Sequence, residues 1–213
     1  MYLMILEAFP SGPLETNAYL LACDATKHAV VIDVPPASSD DLLERIKELS
    51  LLVDMILLTH SHWDHIAEVF QLKNHLKVPV YIHKEDAGNL ENPGSDKLPL
   101  FFPLKGIKPD GCLTDGQELA VGKLRVTVIH TPGHSPGSVC FFLPSEEILI
   151  SGDTLFKGTI GSLSLPTARP SLMWGSLKKL AALPEGTKVY PGHGDATSIG
   201  AERWIAQAQD RLK

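Results

Sequence analysis

An apolar run at residues 55–58 ends in a cluster of side chains that can bind a metal ion. Residues 59–65 read Thr-His-Ser-His-Trp-Asp-His, so His60, His62, Asp64 and His65 lie within one short segment. Because side chains of an extended segment alternate between its two sides, His60 and His62 point the same way and can share one ion. Asp64 and His65 come after the chain turns, where they can address a second point. A solvated histidine-rich loop is the alternative, and this dense spacing directly after a buried strand argues against it.

Three further ligand candidates each follow a predicted strand and stand beside a glycine. They are His134 in Thr-Pro-Gly-His, Asp153 in Ser-Gly-Asp-Thr and His193 in Pro-Gly-His-Gly. Glycine allows a tight turn and a close approach of the backbone to a ligand. Each residue taken alone also fits an ordinary turn. Together with residues 60–65 they predict one site at the ends of several strands, with nitrogen and oxygen ligands that suit zinc, iron or manganese.

The predicted elements form two groups of strands, each followed by helices. Strands are predicted at residues 2–9, 17–22, 29–33, 55–58, 80–82, 118–121, 124–129, 138–143, 148–150 and 188–190, and helices at 38–49, 66–76, 172–183 and 199–212. This order predicts an α/β fold of four layers, in which two packed sheets lie between helices; a doubly wound single sheet is the competing architecture. With no repeat or linker in its 213 residues, the chain is predicted to form a single domain. Residues 91–111, rich in proline and glycine, are predicted to form an irregular lid or binding loop.

The composition argues against several classes of partner. The formal net charge is −6, whereas proteins that bind nucleic-acid phosphates usually carry a basic surplus. No apolar run reaches the ~18 residues that span a membrane, and residues 1–6 are too short for the core of a signal peptide. Cys23, Cys112 and Cys140 are odd in number and far apart, which predicts buried free thiols in a reducing compartment. We therefore expect a cytoplasmic protein without a nucleic-acid or membrane partner.

Residues 59–65 match the His-x-His-x-Asp-His signature of the metallo-β-lactamase superfamily. The later segments Thr-Pro-Gly-His, Ser-Gly-Asp-Thr-Leu-Phe and Pro-Gly-His-Gly resemble its glyoxalase II branch, the hydroxyacylglutathione hydrolases. The ordered matches run from residue 17 to about residue 194. The resemblance implies an αββα sandwich with two divalent metal ions at one edge of both sheets, zinc by expectation and iron or manganese as alternatives.

The resemblance also implies a role for each ligand candidate. The first ion falls on His60, His62 and His134, the second on Asp64, His65 and His193, and Asp153 bridges both. Metal binding lowers the pKa of water to about 7, so the ions would supply a nucleophile that Asp64 and Asp153 orient. The implied substrate is a small molecule, an acyl thioester such as S-lactoylglutathione, and no serine or cysteine nucleophile is needed.

Three departures from the relatives bear on the substrate. Full-length glyoxalase II carries a C-terminal helical domain with basic residues, whereas this sequence stops about 20 residues after His193. Ser162 and Ser164 stand where relatives carry arginine and aspartate, which removes a candidate carboxylate clamp unless Arg169 replaces it. The β-lactamases of the superfamily carry other residues, often cysteine, in place of Asp153. We therefore expect weak turnover of S-lactoylglutathione and no native hydrolysis of antibiotics.

Two other functions stay open at this point. The first is a persulfide dioxygenase of the same fold, with one iron on His60, His134 and Asp153. The second is a metal-binding module without catalysis, which the complete ligand set disfavours. The missing arginine and the Gly-Asp-Thr-Leu-Phe context favour the hydrolase. The remaining histidines are expected to be structural: His28, His75, His83 and His130.

Overall fold

The computed structural model describes residues 4–208, whose strands form two six-stranded sheets. The first sheet contains, in spatial order, β1 (Met4–Ser11), β2 (Thr16–Cys23), β3 (His28–Ile32), β4 (Leu52–Leu57), β5 (Val80–His83) and β6 (Gly111–Leu113). The first three strands pair antiparallel, and β3 to β6 pair parallel. The parallel strands β3 and β4 therefore end at the same edge of this sheet.

The second sheet is mainly antiparallel. It contains, in spatial order, β7 (Glu118–Val121), β8 (Leu124–His130), β9 (Val139–Leu143), β10 (Ile148–Gly152), β11 (Lys188–Pro191) and β12 (Thr197–Ser198). Its one parallel pair joins β10 to β11, while the other neighbours pair antiparallel. As a result, β10 and β11 also end at one edge, as β3 and β4 do in the first sheet.

Helices cover the outer face of each sheet. They are α1 (Ser39–Glu48), α2 (Trp63–Ile66), α3 (Val69–Leu76), α4 (Lys84–Glu91), α5 (Pro170–Ala181) and a 3-10 helix at Arg203–Gln207. In β2, Leu20 lies in the core beside Leu42 of α1, whereas the next residue, Leu21, lies in the core between the sheets. A third core joins Leu149 of β10 to Leu177 of α5. A strand that is buried on both faces carries apolar side chains on both, which explains the continuous apolar runs in the sequence. The predicted αββα sandwich is confirmed.

Helix α4 and strand β6 were not predicted. Helix α4 has no apolar stripe, because the side chains it buries are Asp86, Asn89 and Leu90. An amphipathic pattern is the signal by which a helix is found in a sequence, so residues 84–90, between the predicted strand and the predicted loop, were assigned to no element. The three residues of β6 are too few to show a period. Between these two elements, residues 92–110 contain no helix or strand, in agreement with the predicted loop.

The helix predicted at residues 199–212 starts later than predicted in its described part. Residues 199–202 form a turn after β12, and the helical residues begin with the 3-10 helix at Arg203–Gln207. The buried carboxylate of Glu202 accepts hydrogen bonds from Thr197 Oγ1 and Trp204 Nε1, both at 2.6 Å, and so holds this segment in a tight turn. Residues 209–212, like the predicted start of β1 at residues 2–3, lie outside the described residues.

Two smaller expectations also need correction. The helix predicted at residues 66–76 is divided into α2 and α3, because Val34 makes backbone hydrogen bonds with His65 and Glu68 at the break. The cysteines are free, but only Cys23 and Cys140 are buried, and Cys112 on β6 is exposed. Among residues 4–208, no helix has the length and apolar character needed to cross a membrane.

Candidate metal centre

The loops after β4, β8, β10 and β11 meet at one edge of the sandwich, where the two sheets are also joined by the backbone. Asn17 N donates a 2.8 Å hydrogen bond to Gly192 O, and Thr16 forms an isolated antiparallel bridge with His193. The Asn17 side chain adds a 2.9 Å hydrogen bond to Pro191 O. The start of β2 in the first sheet therefore holds the loop that follows β11 in the second.

Three histidines form the first ligand set: His60, His62 and His134. One ring nitrogen from each lies within 4.8 Å of the others. The closest approach joins His60 Nε2 to His62 Nδ1 at 3.0 Å. All three residues are buried. The alternation of side chains that predicted a shared ion for His60 and His62 is thus present in the structure, and His134 reaches them from the loop after β8.

The second ligand set contains Asp64, His65 and His193, and its ligand atoms also lie within 4.8 Å of one another. Asp64 Oδ2 is 3.4 Å from His65 Nε2 and 3.3 Å from His193 Nε2. The side chain of His193 retains 23% of its accessible surface, whereas that of His65 retains none. The second set therefore lies deep on one side and faces solvent on the other.

Asp153 lies between the two sets. Its Oδ2 is 3.3 Å from His134 Nε2 of the first set and 3.4 Å from His193 Nε2 of the second. Its Oδ1 is 3.3 Å from His65 Nε2. One carboxylate thus contacts members of both sets, which is the position that a bridging ligand requires.

Several atoms of the centre are buried without any hydrogen bond among the described residues. They include His65 Nε2, His134 Nε2 and Asp153 Oδ1. Buried polar atoms without partners are rare and costly in proteins, so such a group of them calls for a ligand. Neutral imidazole nitrogens and carboxylate oxygens are the donors that zinc, iron and manganese accept. The residues present therefore fit a pair of divalent metal ions.

Three histidines are bound through Nδ1 to residues outside the centre, and these contacts direct their Nε2 atoms towards it. His134 Nδ1 donates to Ser162 O at 2.9 Å, and His193 Nδ1 donates to Leu14 O at 3.0 Å. Since a carbonyl oxygen can only accept, these bonds place a proton on Nδ1, so that Nε2 is the nitrogen that faces the centre and is free to bind a metal once it carries no proton. His65 Nδ1 makes a similar 2.8 Å contact with Asp33 Oδ2.

Asp33 and Thr16 support the centre, although neither was predicted from the sequence to belong to the site. Asp33 accepts hydrogen bonds from Thr59 N at 2.8 Å and Thr59 Oγ1 at 2.7 Å, in addition to its contact with His65. Thr16 Oγ1 donates to Asp64 Oδ2 at 2.8 Å. The position of Asp33 directly after a buried strand was a usable signal. Thr16 offered none, because it lies 48 positions from its partner.

The two sets differ in electrostatics. Burial lowers the pKa of His60 well below its usual value, and burial together with His134 lowers the pKa of His62 to about 3. Burial also opposes the charge of His193, but the Asp153 and Asp64 carboxylates outweigh it and raise the pKa of His193 to about 9. For Asp64, burial favours the neutral acid, but His65 and His193 outweigh it and bring the pKa to about 2. His60 and His62 of the first set are therefore neutral, whereas His65 and His193 of the second set gain protons beside the Asp64 and Asp153 carboxylates.

Two glycines are required by the close packing of these loops. A Cβ atom on Gly192 would lie 2.2 Å from Asp153 Oδ1. A Cβ atom on Gly161 would lie 2.1 Å from Asp153 O and 2.7 Å from His134 Nδ1. A close approach was predicted for the glycines beside the ligand candidates. Gly192, beside His193, confirms it, because any side chain at this position would collide with Asp153 in the centre.

The structure places the residues of uncertain role outside the centre. The side chains of Ser162 and Ser164 are exposed and contact each other at 2.9 Å. Arg169 lines a separate cavity with His83 and His130, and none of the seven ligand candidates lines that cavity. His83 and His130 stack with ring centroids 3.9 Å apart, in keeping with a structural role.

The family model of the metallo-β-lactamase superfamily matches residues 11–193 of this chain. The chain belongs to this superfamily. Among curated relatives, a probable metallo-hydrolase of Bacillus subtilis, YqgX, is 35% identical over 91% of this chain and 92% of its own length. The hydroxyacylglutathione hydrolase GloC of Haemophilus influenzae is 30% identical over 94% and 95%.

Solved structures of the same fold agree with this assignment. The BLEG-1 B3 metallo-β-lactamase is 40% identical, with a TM-score of 0.85 over 93% of this chain and 96% of its own. TTHA1623 in a di-iron-bound form is 36% identical, with a TM-score of 0.80 over 92% and 96%. ETHE1 from Myxococcus xanthus is 28% identical, with a TM-score of 0.77 over 95% and 83%.

Proposed function

We propose that this metal-dependent hydrolase works with a dinuclear centre and cleaves an acyl thioester. The observation that carries the proposal is the position of Asp153, which contacts His134 of the first set and His65 and His193 of the second. A single mononuclear site would need no carboxylate between two complete ligand sets. The similarity to GloC, named as a hydroxyacylglutathione hydrolase, supports a thioester as the substrate.

In this proposal His60, His62 and His134 hold the first ion, Asp64, His65 and His193 hold the second, and Asp153 is shared. Two bound divalent ions would supply an activated water and an electrophile for the substrate carbonyl. The chain's own contribution is to orient these groups. Asp64 and Asp153 would orient the attacking water, and the partners Asp33, Ser162 and Leu14 hold three imidazoles with Nε2 towards the centre. Water and substrate enter from the side of His193, the most exposed member of the seven.

Zinc is the metal we propose, since imidazole and carboxylate ligands around a hydrolytic water suit it. The di-iron-bound neighbour keeps iron as the alternative. We also propose a single domain, because one core lies between the two sheets and joins both halves of the chain. The buried free thiols Cys23 and Cys140 support the cytoplasm as the compartment.

The decisive experiment combines elemental analysis with two assays on protein purified without chelators. We expect two ions per chain, hydrolysis of acyl thioesters without oxygen, and no oxygen uptake with a persulfide. One iron per chain together with persulfide-dependent oxygen uptake would instead establish the dioxygenase, with iron on His60, His134 and Asp153. A third arm with a β-lactam substrate measures the activity that the similarity to BLEG-1 raises.

We further propose that S-lactoylglutathione is turned over with a high KM. Ser162 and Ser164 offer no positive charge, and Arg169 lies at a different cavity, so none of these side chains holds a glutathione carboxylate at the centre. When an interaction is absent from both the bound substrate and the transition state, KM rises and kcat stays unchanged. A KM near the lower end of the roughly 1 μM–1 mM span that is common for enzymes would contradict this expectation.

The loop at residues 92–110 is the proposed source of the remaining substrate contacts. The rings of Phe101 and Phe102 lie 5.4 and 5.6 Å from the ring of Trp63, which stands between His62 and Asp64 in the chain. Phe101 is 72% exposed, a large apolar side chain left open to solvent close to the ligand segment. Phe101→Ala should therefore raise KM for a small acyl thioester, whereas Leu52→Ala, at another exposed apolar residue far from the centre, serves as the control.

A further inference from the structure

Helix α4 carries two buried polar side chains that hold the backbone of Ser61, the residue between His60 and His62. Asp86 Oδ2 accepts a 2.9 Å hydrogen bond from Ser61 N, and Asn89 Nδ2 donates a 2.6 Å hydrogen bond to Ser61 O. Both backbone groups of Ser61 are thus bound by one helix. Because Ser61 separates the two ligands, fixing its peptide groups fixes the directions in which His60 and His62 leave the chain.

The same Asp86 also holds the loop that carries the third histidine. Its Oδ2 accepts a 2.8 Å hydrogen bond from Ser135 Oγ, and its Oδ1 accepts a 2.6 Å hydrogen bond from Gly137 N. Ser135 directly follows His134 in the chain. A Cβ atom on Gly137 would lie 2.6 Å from Asp86 Oδ1, so the close approach depends on a glycine there. One carboxylate, only 3% exposed, therefore joins the two loops that supply the first ligand set.

Asn89 anchors this arrangement from the other side. Its Oδ1 accepts hydrogen bonds from Gly94 N at 3.0 Å and Asp96 N at 3.1 Å, and its Nδ2 also donates to Asp96 Oδ2 at 3.0 Å. The start of the loop after α4 is thereby bound to the same amide that holds Ser61 O. The helix is fixed relative to the centre by its buried polar side chains.

We propose that Asp86 is a positioning residue for the first ligand set, which sets His60 and His62 against His134 at the distance that one ion requires. The inference rests on the proposed metal binding. Asp86 makes its hydrogen bonds to backbone groups and to Ser135, and it acts on the ion only through the loops it joins. Ligand geometry must hold within about 0.5 Å for full affinity. Replacing partners outside the ligands lowers metal affinity by roughly 10–100-fold.

The test is Asp86→Asn, since asparagine keeps the volume but replaces one of the two accepting oxygens, Oδ1 or Oδ2, with an N–H donor that faces the donors already bound there. Stepwise zinc affinities are measured by competition with a chromophoric chelator, in two backgrounds that isolate the sets. His193→Ala removes a ligand of the second set, and His62→Ala removes a ligand of the first. We expect Asp86→Asn to lower the zinc affinity roughly 10–100-fold in the His193→Ala background. In the His62→Ala background the affinity should stay the same.

A matched control separates positioning from general stability. Glu202 is also 3% exposed, and its carboxylate also accepts three hydrogen bonds, from Gly158 N, Thr197 Oγ1 and Trp204 Nε1. Glu202→Gln should lower the thermal unfolding midpoint. It should not lower the zinc affinity of one set more than that of the other. An equal loss of zinc affinity in both backgrounds, or an equal loss in Glu202→Gln, would overturn the proposal.

A milder variant covers the case in which Asp86→Asn does not fold. Ser135→Ala removes one of the three donors to Asp86 and should lower the affinity of the first set alone, by less than Asp86→Asn. An unchanged affinity in both variants overturns the inference while leaving the dinuclear hydrolase intact. Wild-type protein that binds no metal would instead overturn the proposed function on which the inference depends.

Discussion

The two ligand sets of this centre differ in chemistry and in depth. The first contains imidazoles alone, and its members His60, His62 and His134 are all buried. The second contains the Asp64 carboxylate and ends at His193, whose side chain remains partly open to solvent. Burying a carboxylate costs more than burying a neutral imidazole unless a charge compensates it. The imidazole set lies entirely inside the sandwich, whereas the set that contains the carboxylate reaches solvent through His193.

The residues that hold the ligands in place also differ between the two sets. The loops of the first set are joined by side chains of one helix, Asp86 and Asn89. The second set is instead held by residues of the first-sheet region, since Thr16 donates to Asp64 and Leu14 O accepts from His193. Both sets combine ligands from the two sheets, but α4 joins the loops of the first set, whereas the second set relies on the turn between β1 and β2 and on the start of β2.

The largest effect is expected for Asp153→Ala, which should weaken metal binding at both sets alike. Asp153→Ala takes away the one carboxylate that contacts both, so we expect both ions to bind more weakly and turnover to be lost. The loss should exceed the roughly 100-fold at the top of the range for residues outside the ligand shell. Metal content by elemental analysis and steady-state rates check this. Full activity with two ions in Asp153→Ala would show that the ligand assignment is wrong.

A pH titration should separate the sets without any mutation of their supports. With its pKa raised to about 9, metal-free His193 is protonated at neutral pH, and an imidazolium cannot ligate a metal. Binding of the second ion must then release this proton, and His65, whose pKa is also raised, can release another, so the affinity should rise at least about tenfold per pH unit up to about pH 9. Burial lowers the pKa of His60 and, together with His134, brings that of His62 to about 3, so these two ligands are already neutral and the affinity of the first set should rise less steeply with pH. Zinc titrations of the His62→Ala and His193→Ala variants at several pH values measure the two slopes, and equal slopes would contradict the contrast.

Asp33→Asn should weaken the second set selectively. It removes an acceptor shared by Thr59 and His65, so we expect the affinity for the second ion to fall by roughly 10–100-fold. Asp54→Asn is the matched control, because Asp54 contacts His28 Nδ1 at 2.7 Å in the same sheet but away from the centre. Chelator competition applied to both variants should show a loss in Asp33→Asn alone. A similar loss in Asp54→Asn would attribute the effect to the sheet as a whole.

The smallest expected effect concerns neither set. His130→Ala removes the stack on His83 and the 3.0 Å contact with Pro136 O. We expect a loss of about 1 kcal/mol in the free energy of unfolding, as is common for single substitutions, and unchanged metal content. Chemical denaturation and elemental analysis measure the two quantities. A variant that lost one ion would place His130 in the support of the first set.

Much of the centre could be read from the sequence because its signals are local. All seven ligand candidates lie after apolar strands, in segments where the residue types needed for metal binding stand close together or beside glycine. The four layers followed from the order of strands and helices, since a run such as residues 29–33 shows burial on both faces without reference to any distant residue. The turn between β12 and the 3-10 helix was not predicted, because it depends on the buried Glu202 carboxylate and a sequence does not show burial.

Only the tertiary structure decided what holds the ligands in place. Asp86 and Gly137 are 51 positions apart, and Leu14 and His193 are 179 positions apart, so no local pattern links them. Two of the supports are backbone carbonyls, of Leu14 and Ser162, and a carbonyl is present at every residue. The chain by itself determined which side chains can bind metal, because that is a matter of residue type. The packing of the two sheets decided which of them meet and what orients them, because those contacts exist only when distant segments are brought together.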